Sequence, residues 1–120
     1  MIRLMSRLEN EAVASMEELL EALAVARDEL RRSEQGLRRT LRKVDRGQPI
    51  ASVVIADGPS KSRQSYDDAM EAVMALRHRT RSLIFALAVK DGLSIGEVGR
   101  TWGISRQLAS RYVREATNGK

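Results

Sequence analysis

Apolar side chains recur at every seventh position through the first third of the chain: Met16, Leu23, Leu30, Leu37 and Val44 make one series. Ala12, Leu19 and Ala26 make a second, which turns polar at Ser33 and Thr40. Interleaved series of this period are the heptad pattern of helices that pack along a seam, apolar early here and weaker later. Strong helix formers fill the positions between and no proline interrupts residues 1–46. The spacing therefore predicts one long helix, or a helix with a single break. Uninterrupted, it would measure roughly 68 Å at about 1.5 Å per residue. A chain of 120 residues cannot bury such a helix alone. It must pack on a second copy or fold back, and the fold-back is expected near Ser33-Glu34-Gln35-Gly36, because Gly36 costs about 1 kcal/mol in a helix interior. Residues 1–46 thus read as a helical or coiled-coil dimerisation arm with Met16, Leu19, Leu23, Leu30 and Leu37 as its contacts. The basic run Arg38, Arg39, Arg42, Lys43 and Arg46 suits the negative end of the helix dipole as a solvated face, with contact to phosphates as the alternative.

Between residues 47 and 62 the helical pattern stops. Gly47, Pro49, Gly58 and Pro59 bracket the β-branched Ile50, Val53, Val54 and Ile55, which reads as a linker or a short strand. A lone strand would need a partner, such as the same segment of a second copy. Residues 63–120 return to helical spacing. Ser65-Tyr66-Asp67-Asp68 has the form of a helix start, and Ala69, Val73, Leu76, Leu83, Ile84, Leu87 and Ala88 supply a buried side as far as about Lys90. Asp91-Gly92 stops that helix, and Ser94-Ile95-Gly96-Glu97 has the capping-box pattern that begins another.

The most specific stretch follows, Ser94 to Arg114. Val98 and Trp102 share a face of a first short helix, and Gly99 leaves room for a second helix to approach. Gly103 ends the first helix, Ile104 turns back toward the core, and Ser105 caps the second. Leu108, Ala109 and Tyr112 then recur on an inward face, while Arg106, Gln107, Ser110, Arg111 and Arg114 lie opposite. In Gly99, Gly103 and the apolar frame Val98, Trp102, Ile104 and Tyr112, this stretch resembles the bacterial helix-turn-helix family, including its repressor, resolvase and sigma-factor region 4 versions. Ala109 departs from the family, which more often has a branched apolar residue there. The resemblance implies that the second helix enters the major groove of double-stranded DNA. Ser105, Arg106, Gln107, Ser110 and Arg111 would then read bases, and Arg100 and Arg114 would hold phosphates. Arg79 and Arg81, within the basic cluster Arg77-His78-Arg79-Arg81 of the preceding helix, are further candidates for phosphate contact. Too few residues follow Arg114 for a β-hairpin wing.

Charge agrees with this placement. Residues 1–46 carry 10 basic and 9 acidic side chains, whereas residues 61–120 carry 11 and 6, so the net +5 collects in the half that holds the motif. Such a field attracts phosphate backbones and makes binding depend on salt. The chain has no cysteine and one histidine, His78, which removes disulfides, thiolate sites and a multi-histidine metal site from one subunit. No glycine-rich phosphate loop and no nucleophile framed by a base is present, so catalysis is not expected, and neither is a cofactor. No apolar run approaches the length of a membrane span or follows a basic start as a signal would, so a cytoplasmic, nucleoid-associated protein is expected.

The expected fold is all-α, with a long amino-terminal dimerisation arm and a wingless carboxy-terminal three-helix domain of helix-turn-helix form. The expected function is sequence-specific DNA binding by a homodimeric transcription regulator. Two other readings stay open. One is a nucleoid-structuring or phage-packaging DNA binder with weak sequence preference; the other is a sigma-like module that docks on RNA polymerase.

Overall fold

Helix formers, glycines at helix ends and a proline at a helix start fix five helices: α1 (Arg7–Asp45), α2 (Ile50–Ala56), α3 (Pro59–Lys90), α4 (Ile95–Trp102) and α5 (Arg106–Thr117). A computed structural model describes residues 4–118, and no strand occurs among them. The chain divides into two compact units. One contains residues 4–20 and 75–118, and the other residues 21–74.

α1 begins with a reciprocal cap at Ser6: its hydroxyl accepts from the Glu9 N–H at 3.1 Å, and the Glu9 carboxylate accepts from the Ser6 N–H at 3.1 Å. The helix then continues without a break through Gly36, and at 39 residues it is about 58 Å long. The fold-back expected at residues 33–36 does not occur. It comes after Asp45, where the Gly47 N–H reaches the Val44 carbonyl and the Gln48 N–H reaches the Lys43 carbonyl. One glycine in a run of strong helix formers lowers helix stability without ending the helix, whereas Gly47 and Pro49 together do end it.

The face that α1 buries is offset by one position from the leucine series. Ala12, Ser15, Ala26 and Glu29 are buried, and Leu19, Ala22, Gly36 and Thr40 are half-buried between and beyond them. This is itself a heptad seam, but of small residues, which let a neighbouring helix come close. Met16, Leu23, Leu30 and Leu37 instead remain exposed, and of the five expected contact positions only Leu19 turns to the buried seam.

Residues 50–56 are helical, not extended. A short β-branched stretch with no partner strand gains nothing from the extended form, and about two turns of helix bury Val53 at 4% exposure. α3 starts six residues ahead of the expected Ser65, at Pro59, where the absent proline N–H costs no helical hydrogen bond. Ser65 therefore lies inside the helix. Its hydroxyl donates to the Glu29 carboxylate across to α1 at 2.5 Å, and Arg32 donates to the same carboxylate. These contacts hold the Glu29 carboxyl below its ordinary pKa, the Ser65 bond being the larger cause and Arg32 the next.

In the first unit, Ser15 of α1 and Thr80 of α3 share a hydrogen bond at 2.7 Å, both side chains being buried. Leu83, Phe85 and Ala86 follow on α3, with Phe85 wholly buried. Around Phe85, Val98 and Ala109 form the centre of a small core, closed by Ala88, Val89, Ile95, Ile104, Tyr112 and Val113. This core fixes α4 and α5 against the carboxy-terminal half of α3.

Candidate nucleic-acid interface

α4 and α5 are set by local signals at both of their joints. Ser94 accepts from the Glu97 N–H at 3.1 Å and its own N–H donates to the Glu97 carboxylate at 2.9 Å, the reciprocal cap expected from the sequence. The Ser94 backbone N–H, and after it the Ser94 hydroxyl, hold the Glu97 carboxyl below its ordinary pKa. α4 ends at Gly103 in the left-handed region, φ 68° and ψ 33°. There the Gly103 N–H bonds the Arg100 carbonyl at 3.3 Å and the Ile104 N–H bonds the Gly99 carbonyl at 2.9 Å, the paired closure that brings Ile104 back onto the core. The same closure ends α3, where Gly92 and Leu93 bond the carbonyls of Val89 and Ala88.

The turn is tight because of Gly99. A Cβ at that position would stand 3.0 Å from the Ile104 carbonyl oxygen and 3.5 Å from the Ser105 backbone. Ser105 then caps α5, its hydroxyl accepting from the Leu108 N–H at 3.1 Å. Of the expected base readers it is thus the one whose hydroxyl is already engaged with its own helix.

Ala109 is wholly buried where α5 meets the core, and a methyl group at that point lets α5 lie close to Val98 and Phe85. Tyr112 stacks edge-on to Phe85 at 5.2 Å between ring centres. The opposite face of α5 carries Gln107, Ser110, Arg111 and Arg114 at offsets of three, four and seven, which is one stripe of a helix. Gln107, Arg111 and Arg114 are exposed and Ser110 is half-buried; Arg106 stands exposed beside them in the first turn. No acidic side chain interrupts this stripe, and the nearest on α5, Glu115, is held by His78 of α3.

The other basic candidates are placed differently. Arg100 is exposed on α4. Arg81 is half-buried with its guanidinium 5.2 Å from the Trp102 ring centre, a cation–π arrangement. Trp102, expected in the apolar frame of the motif, is 43% exposed and touches Phe85 edge-on at 5.0 Å, so it caps the rim of the core. Arg79 is exposed and lines a pocket of about 200 Å³ with Arg7, Glu11, His78 and Glu115. Most of that pocket's charge is internally matched, Arg7 to Glu11 at 3.2 Å and His78 to Glu115. Among the described residues no cluster of three His, Cys, Asp or Glu side chains is positioned to hold a metal, and no helix is long and apolar enough to cross a membrane. The Arg81–Trp102 contact was not readable in the sequence, where the two residues lie 21 positions apart with no motif joining them.

No protein-family model, curated protein or solved structure matches this chain.

Proposed function

We propose that the protein is a sequence-specific double-stranded DNA-binding transcription regulator that acts as a homodimer. The observation that carries this reading is the two-faced character of α5. One face ends in a wholly buried Ala109, and the other presents Gln107, Ser110, Arg111 and Arg114 in one stripe with no acidic residue inside it, the adjacent Glu115 being paired with His78. A short, firmly seated helix with a polar and cationic outer face, entered through a tight turn, matches what the major groove admits. The carboxy-terminal half of α3 with α4 and α5 then acts as a wingless helix-turn-helix domain.

In this reading Arg106, Gln107 and Arg111 present donors to base edges. Arginine suits the paired acceptors of guanine, and glutamine suits the donor and acceptor of adenine. Ser110 assists from a half-buried position. Ser105 acts through its helix: its hydroxyl caps α5, so the free N–H groups of the first turn are what it offers a phosphate. Arg100, Arg114 and Arg79 supply salt-dependent phosphate contacts, with Arg81 held toward Trp102. The excess of basic side chains in residues 61–120 supports the same assignment, and the protein would work in the cytoplasm, associated with the nucleoid.

Selection of bound sequences from a random DNA pool tests this. A recovered motif with two related half-sites is expected, and loss of preference at one position on Arg111→Ala. Equal retention of random and selected DNA at one salt concentration would sink the reading.

A further inference from the structure

α1 carries a second heptad seam, which the described residues of the chain leave uncovered. Within residues 21–74, Leu23, Arg27, Leu30, Glu34, Leu37 and Leu41 follow one another at steps of four, three, four, three and four, the spacing of a coiled-coil face. The four leucines are 45%, 51%, 67% and 63% exposed. Contiguous apolar exposure of this kind on one face marks an interaction surface. The in-chain seam of alanines and Glu29 lies one position away, so covering the leucines leaves the Glu29–Ser65 contact intact.

We infer that this face of α1 binds the same face of a second copy of the chain, with the two helices antiparallel. The two charged positions decide the direction. In a parallel, in-register pair, Arg27 would oppose Arg27 of the partner subunit and Glu34 would oppose Glu34 of the partner subunit, which places like charges in two layers of the seam. In an antiparallel pair, Leu23 layers on Leu41 of the partner subunit, Arg27 on Leu37 of the partner subunit, and Leu30 on Glu34 of the partner subunit. Arg27 and Glu34 of the partner subunit then fall in successive layers, about 4.5 Å apart along the axis at about 1.5 Å per residue. Symmetry repeats the pair. The Glu34 carboxylate already accepts from Arg38 at 2.8 Å through one oxygen, and its other oxygen is free to accept from Arg27 of the partner subunit. Leucine layers close both ends of the seam. The leucines supply the affinity and the charges select the orientation.

This inference rests on the homodimer of the proposed function, and its test uses no DNA. The chain has no cysteine, so introduced thiols are the only ones present. Full-length Leu23→Cys and Leu41→Cys chains, each with a different tag, are mixed and joined with a short bis-maleimide. Cross-links between the two different chains are expected to exceed those between like chains. An excess of Leu23→Cys chains joined to each other would overturn the antiparallel arrangement. Sedimentation equilibrium gives the second arm. Arg27→Glu or Glu34→Arg alone should weaken self-association by about tenfold, because each opposes like charges, and the double exchange should restore it. Single exchanges with no effect, or a wild-type chain that stays monomeric, overturn the inference. A chain that dimerises in this way yet selects no DNA sequence leaves it standing and removes the regulator reading. A monomer that selects a DNA site overturns the inference and the homodimer with it, and leaves sequence-specific DNA binding standing.

Discussion

Gly99 and Ile104 stand so close that a methyl group between them would have to push the backbone aside by a few tenths of an ångström: a Cβ on Gly99 would lie 3.0 Å from the Ile104 carbonyl oxygen. The obstacle is backbone, held by the Ile104 N–H bond to Gly99 itself, so it cannot swing aside as a flexible side chain would. Gly96, on the same helix, offers a control, because its Cβ would meet only side-chain atoms, the Arg100 guanidinium at 3.4 Å and the Ser94 hydroxyl at 3.8 Å. Both changes to alanine gain up to about 1 kcal/mol of helix propensity. Gly96→Ala should therefore raise or hold the melting temperature, whereas Gly99→Ala should lower it through about 1 to 3 kcal/mol of overpacking. Equal melting temperatures for the two variants would show that the turn yields.

The buried pair Ser15 and Thr80 should behave as a unit. Ser15→Ala or Thr80→Val alone strands a buried hydroxyl or removes its partner, at a cost of about 1 to 3 kcal/mol. The double variant should recover most of that loss. A double-mutant cycle by urea unfolding measures it, and strictly additive losses would mean that the bond contributes nothing.

Acid should act on Glu29. Its folded pKa is lowered, chiefly by the Ser65 hydroxyl and then by Arg32. The stabilisation is thus complete above the ordinary carboxylate range and is lost as pH falls through the lower folded value. Ser65→Ala removes the larger cause and raises that folded value, so acid unfolding followed by circular dichroism should begin at higher pH in the variant. Glu29→Gln should flatten this part of the profile.

At the entry to α4, Ser94→Ala should cost about 1 kcal/mol by leaving the Glu97 N–H without its cap. Glu97 has a lowered pKa from the same contacts, so the cap is at full strength above the ordinary carboxylate range and fades on acidification. The difference in urea midpoint between wild type and Ser94→Ala is therefore expected to shrink at acid pH.

For DNA, substitutions on α5 should separate by kind. Arg111→Ala should cost about 1 to 3 kcal/mol on the preferred site and little on random DNA, while Arg114→Ala should weaken both alike and reduce the salt slope by about one. Binding isotherms at several salt concentrations distinguish the two patterns.

How far the sequence shows these features depends on how local their causes are. The cap at Ser94, the left-handed Gly103, the cap at Ser105 and the inward Ala109 and Tyr112 each rest on neighbours within a few residues, and the structure places them as their spacing implies. The side of α1 that packs is another matter. Two heptad series one position apart both fit a seam, and hydrophobicity alone favours the leucines. The small residues win within the chain because they admit close approach by α3, a distance that sequence does not display. The helix at Ile50–Ala56 and the placement of Ser65 inside α3 were hidden for a similar reason, since each depends on a contact distant in sequence or on the lack of a partner strand. Compactness also ignores chain order: residues 4–20 gather with 75–118, which no linear division of the sequence shows.

Trp102 is the chain's single tryptophan, half open to solvent with its edge on Phe85 and the Arg81 guanidinium near its face. Its fluorescence therefore belongs to one place alone, the last turn of α4 beside the Gly103 joint. Withdrawal of Arg81 toward a bound anion, or any rotation of α4, would change the polarity around the indole and shift its emission. The unlabelled protein thus carries a built-in optical reporter for the surface on which its proposed activity depends.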